Sequence, residues 1–158
     1  MTPVHMAYTE VWPPAWEAAE ACGRPFRPWR LEGVKATTDG YVDFLAARWE
    51  RAVDWTNLEH DVIVTRAQLD NLEACGSAWC AFADHHRGPP TLSLARFRAP
   101  FMAAHPWVWE ELRFEGRRSI FQPLWQVCDT WLVERCGLPC LHGPPYAMNT
   151  RALAWARS

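Results

Sequence analysis

The amino-acid sequence predicts a single three-layer α/β/α domain with a mostly parallel central sheet and a hairpin in its second half. Short apolar runs alternate with helix-length segments through the first half, in the order β-α-β-α-β-α. That is the pattern of parallel strands joined by crossover helices. Further on, the order changes to a strand pair accompanied by helices. A length of 158 residues with 49% hydrophobic side chains suits one domain with a substantial core.

The elements follow in order. Val4 to Thr9 reads as a first strand, and Glu10-Val-Trp-Pro-Pro14 as a loop whose prolines suit the first turn of a helix through Ala21, stopped by Gly23. Phe26 to Leu31 is a second strand, confined by Pro28 to a sheet edge or to its own start. Thr37-Thr38-Asp39 supplies N-cap candidates for a helix from Tyr41 to about Val53, with Val42, Leu45, Trp49 and Val53 on one stripe. Trp55 to Leu58 is a short buried strand. Thr65-Arg-Ala-Gln68 is a capping box opening a helix that ends at Gly76. Trp79 to Ala83 and Thr91 to Ala95 read as a hairpin with a long polar connection. Phe101 to Ala104 is a short helix cut off by Pro106, and Gln122 to Cys136 a strongly amphipathic one closed by Gly137. Leu138 to His142 is a last strand, followed by a Gly-Pro-Pro turn and a helix over Thr150 to Ala156.

Composition narrows the function classes. A net charge of −2 implies no general attraction to nucleic acid or an anionic membrane. No run approaches the ~18 apolar residues of a membrane span. Met1-Thr-Pro-Val-His-Met shows no secretory signal, so a cytoplasmic protein with free thiols is expected. There is no Gly-rich phosphate loop and no Gly-x-Ser-x-Gly elbow, which argues against P-loop, dinucleotide-fold and serine-hydrolase chemistry. Eleven tryptophans exceed what packing alone needs, although most fit the core. The indole offers a flat apolar face and one donor, useful against sugars and bases.

The chemistry concentrates in Trp55-Thr-Asn-Leu-Glu-His-Asp-Val-Ile-Val64, a strand running into two acids spaced by one residue. In an extended chain Glu59 and Asp61 would share a face, about 7 Å apart, with His60 turned away. Paired carboxylates call for a positive partner, and a hard divalent cation, Mg²⁺ or Mn²⁺, suits them better than zinc. The plain alternative is two solvated acids at a turn. His142, after the last strand, reads equally well as a surface histidine.

A hydrophobic strand ending in acid-x-acid and followed by Val-Ile resembles the metal and nucleotide-sugar motif of GT-A-fold glycosyltransferases. Leu58-Glu-His-Asp-Val62, Trp79-Cys-Ala-Phe82 and His142-x-Pro-Pro145 resemble small glycosyltransferase-like proteins of actinobacteria and their phages. The resemblance implies a GT-A-like, Rossmann-like fold and transfer from a nucleotide-diphosphate sugar to an unidentified acceptor. It places Mn²⁺ or Mg²⁺ on Glu59, Asp61 and His142, with Glu59 also near the donor ribose. It sets Tyr8 or Trp12 against the nucleotide base and brings Asp39 or Tyr41 to the base or ribose. Asp129 would be the catalytic acid or base, although it lies off the main apolar line of its helix, where a solvated carboxylate is the plain reading. His85 and His86, in the polar loop, could meet donor or acceptor. The short chain leaves little for an acceptor domain, which keeps an inactive member or a homo-oligomer open.

Two further readings come from other classes. A Trp-rich surface (Trp107, Trp109, Trp125) could dock a host or phage partner without catalysis. Cys75-x4-Cys80 and Cys136-x3-Cys140-x-His142 could hold structural zinc if the two pieces meet, buried free thiols being the default.

Overall fold

A computed structural model describes residues 1–32, 40–83, 91–115 and 124–148. A six-stranded sheet runs through it in the order β2-β1-β3-β6-β5-β7, composed of β1 (Val4–Tyr8), β2 (Phe26–Arg30), β3 (Trp55–Leu58), β5 (Trp79–Phe82), β6 (Leu94–Phe97) and β7 (Cys140–His142). Only β6 runs against its neighbours, pairing antiparallel with both β3 and β5. The sheet is therefore mostly parallel, with the expected antiparallel pair in the second half. A two-stranded antiparallel sheet joins β4 (Val62–Ile63) to β8 (Ala147–Met148), which the sequence reading did not foresee.

The helices fall on both faces. The helix α1 (Pro13–Ala21) has proline at its first turn, where the missing N–H costs nothing, and Gly23 beyond it takes φ +70°. The helix α3 (Arg66–Ala74) opens on the full capping box, with Thr65 accepting from the Gln68 N–H and Gln68 accepting from that of Thr65. These two cover one face, with Leu72 of α3 packed over Met6, Leu58, Cys80, Phe82 and Leu94. The other face carries α2 (Tyr41–Arg51), α4 (Ala99–Ala104), α5 (Val108–Glu115) and α6 (Leu124–Cys136). Reversing the crossover direction from β1-α1-β2 to β2-α2-β3 puts α1 and α2 on opposite faces, as right-handed connections require.

The core on the α2 side is a net of rings. Trp49 lies 5.0 Å from Phe97 and 5.5 Å from Trp109, and Trp79 stacks on Phe97 and Phe101. Three of the indoles reach carbonyls: Trp49 donates to His105, Trp79 to Gly137 and Trp131 to Val108. Trp109, expected on a docking surface, is fully buried here, while Trp107 is exposed.

Several boundaries differ from expectation. The helix α2 stops at Arg51 because Ala52 turns left-handed (φ 48°), leaving Val53 exposed and outside the stripe. The strand β6 begins at Leu94, three residues later than read, because its register is set by Leu58 opposite Leu94. The buried face of α6 runs through Cys128, Asp129, Trp131 and Leu132, so Asp129 is no solvated acid. The helix α5 was not anticipated. The caps Thr37 to Asp39, the histidines His85 and His86, and the helix from Thr150 to Ala156 lie outside the described residues. Among the described residues no helix is long and apolar enough to cross a membrane.

Candidate functional site

Strand order reverses direction at β1, with β2 on one side and β3 on the other. In open α/β sheets ligands collect beyond the carboxyl ends of the strands at such a point. Tyr8 ends β1 and Leu58 ends β3, with Val4 opposite Thr56 and His5 opposite Asn57. The loop after Tyr8 and the acids after Leu58 therefore emerge at one end of the sheet.

The acids do not continue the strand. The Val62 N–H donates to the Glu59 carbonyl (3.2 Å), so Glu59-His-Asp-Val62 is a tight turn rather than an extended run. The alternation expected to put Glu59 and Asp61 on one strand face does not apply. The turn instead presents the two carboxylates from a bend. Its direction is fixed by β4, which leaves at Val62 to pair with β8.

Behind the turn lies a buried polar clamp on the segment Thr91-Leu92-Ser93. The Ser93 carbonyl accepts from the Glu59 N–H (2.8 Å), and the Ser93 hydroxyl donates to the Glu59 carboxylate (2.9 Å). The Leu92 N–H donates to Asp129 (2.7 Å), and the Leu92 carbonyl accepts from the Asn57 amide (2.6 Å). Thr91 and Tyr146 share a hydroxyl hydrogen bond of 3.1 Å. The Asn57 amide also donates to the Tyr41 hydroxyl (3.2 Å). Burial keeps that phenol protonated far above its ordinary range, reinforced by the nearby carboxylates of Glu59 and Asp129. Asn57, Thr91, Ser93 and Asp129 are all buried. The sequence singled out Asp129 but gave no sign of Asn57, Thr91, Ser93 or Tyr146, whose roles depend on strands meeting.

Two oxygens in this region stand apart. Asp61 Oδ1 and Asn57 Oδ1 are buried and have no hydrogen-bond partner among the described residues. Such groups are rare in folded proteins and point to a missing partner. For a buried carboxylate oxygen the fitting partner is a donor or a cation.

The other expected site residues spread out. Tyr8 is half-buried and packs edge-on against Trp16 at 5.2 Å, and Trp16 against Phe26. Trp12, also half-buried, precedes α1. Asp39 lies outside the described residues. His142 is not gathered with Glu59 and Asp61. It stands on β7, separated from β3 by β6 and β5, about 14 Å away at normal strand spacing. Its ring meets Phe82, and it joins Cys75 and Cys140 instead, their donor atoms all within 4.8 Å of one another. Burial there resists ionisation of Cys75, but hydrogen bonds from Ser77, His142 and Cys140 outweigh it and bring the thiol down to about 6. Cys80 is pushed up to about 12 by burial and by Cys75.

The fold has a counterpart among solved structures. A glycosyltransferase involved in the glycosylation of the major capsid of PBCV-1 superimposes with a TM-score of 0.59, over 90% of this chain and 82% of that one, at 14% sequence identity. The fold is GT-A-like. No family model and no curated protein sequence matches the chain. At this identity the likeness establishes the fold, and the chemistry has to be argued from the residues.

Proposed function

We propose that the protein is a metal-dependent glycosyltransferase that takes a nucleotide-diphosphate sugar at the Glu59–Asp61 turn and passes the sugar to an acceptor not yet identified. The observation that carries this reading is the buried Asp61 Oδ1, without a partner among the described residues, in a turn at the carboxyl end of β3, on a fold shared with a glycosyltransferase. Asp61 would hold Mn²⁺ or Mg²⁺ directly, and Glu59 would complete the site or meet the ribose. A cation there would offset the charge that develops on the departing diphosphate.

The chain's own residues supply the positioning. Ser93 holds the Glu59 backbone and carboxylate at once, so the acid is oriented before any ligand arrives. Asp129 fixes Leu92 and, through it, Ser93. With one oxygen committed to a backbone N–H and the residue buried, it serves this reading as a positioning group. Tyr8 and Trp12 stand at the same end of the sheet, where a nucleotide base would lie.

Thermal melting tests this. Mn²⁺ together with UDP, or with GDP, should raise Tm by about 5–10 °C when the ligand is at 100 times its Kd. Neither component alone should do so, and Asp61→Ala should abolish the shift. No stabilisation by any nucleotide would remove the transferase reading. The rival docking surface has lost Trp109 to the core.

A further inference from the structure

At the far edge of the sheet a second set of donors converges. Cys140 and His142 alternate on β7 and so share a face, Cys80 is the register partner of Cys140 on β5, and Cys75 is the C-cap residue of α3. The donor atoms of Cys75, Cys140 and His142 lie within 4.8 Å of one another, the one such group of three among the described residues. A tetrahedron around an ion with bonds of about 2.0–2.3 Å to nitrogen and sulfur has its corners about 3.3–3.8 Å apart, inside that limit. The thiol of Cys80, which donates to the Leu72 carbonyl (3.8 Å), lies on the neighbouring strand opposite Cys140. Independently, the Nε2 atom of His142 is buried and has no hydrogen-bond partner among the described residues. The Arg98 guanidinium donates to the Cys75 carbonyl, which holds that end of α3 in place.

We infer that Cys75, Cys140 and His142 bind a zinc ion, with Cys80 beside them as the third thiol and fourth ligand. Soft sulfur and imidazole select zinc over the hard cation suited to Glu59 and Asp61. On binding, the thiols release their protons to solvent. The ion would do what burial does not. The strand β7 is three residues long at a sheet edge, and Cys140 and Leu141 are exposed. From β7 the chain passes to buried Tyr146, which bonds Thr91, and then to β8, which pairs with β4 directly after the acid turn. Zinc would thus anchor the strand that leads through Tyr146 to β8, the partner of β4 beyond the acid turn.

The full-length chain, expressed with zinc and passed through gel filtration, should carry stoichiometric zinc by inductively coupled plasma mass spectrometry. Cys140→Ser and His142→Ala should each lose it, while Cys136→Ser, outside the group, should keep it. If the variants do not fold, Co²⁺ added to the metal-free wild-type chain decides. Intense tetrahedral absorption with thiolate-to-cobalt charge transfer is expected. A weak octahedral spectrum, or a Cys75–Cys140 disulfide found by mass spectrometry in freshly purified protein, overturns the proposal. Neither outcome bears on nucleotide binding at Asp61.

Discussion

The clamp behind the acid turn and the thiol–imidazole group on β7 are both polar clusters at the sheet, but they are held together differently. In the clamp, Asn57, Glu59 and Asp129 are tied by short bonds to the single segment Thr91-Leu92-Ser93. Cys75, Cys80, Cys140 and His142 are gathered by strand register and a helix end, and sulfur hydrogen bonds are weak. A hydrogen-bonded cluster is rigid without a ligand, whereas a thiol cluster gains most of its cohesion from one. The clamp therefore suits a site shaped in advance for a substrate, and the thiol group suits a staple.

The difference can be broken from the clamp side. Asp129→Ala should cost about 2–3 kcal/mol, because it strips a buried backbone N–H of a charged acceptor. That corresponds to a drop in Tm of roughly 4–12 °C for a chain of this size, readable by calorimetry. Asp129→Asn keeps an acceptor oxygen and should recover most of the loss. If Asp129→Ala melts like the wild type, the clamp does not hold the segment. A smaller effect is expected at Ser93→Ala, about 1 kcal/mol in urea unfolding, with a weaker nucleotide-and-Mn²⁺ shift because Glu59 loses its orienting hydroxyl. An unchanged shift would mean that Glu59 orientation is set elsewhere.

The smallest predicted effect lies outside both clusters. His5 accepts from Arg48 at 3.1 Å, and its pKa falls to about 4 through burial and the nearby Arg48, Arg27 and Arg51. In the unfolded chain the imidazole takes a proton near pH 6.5, while in the folded chain it resists protonation until about pH 4. Its contribution is therefore full above pH 6.5 and declines as the pH falls through that window. His5→Gln should flatten this part of the stability-versus-pH curve, and an unaltered slope would assign the acid sensitivity to other groups.

Legibility in the sequence followed the range of the interactions. The strand Trp55 to Leu58, the prolines opening α1 and the Thr65–Gln68 box were readable because their causes lie within a few residues. The same holds for Pro28 on an edge strand, since β2 does end the sheet. The helix α5 was missed where Pro106 and the run Trp107-Val108-Trp109 masked its pattern, and Trp109 was misplaced because exposure is not a local property.

What the sequence determined by itself was the class of the fold and the chemistry on offer: an acid pair after a central strand, and cysteines with a histidine near the far end. Which of these meet was settled by tertiary structure alone. The turn closed by Val62 redirected the acids, strand order took His142 away from them, and the parallel pairing of β5 with β7 brought it to the thiols. The reason is physical: spacing along a chain fixes which way neighbouring side chains point, but only strand pairing across many residues decides what stands opposite them.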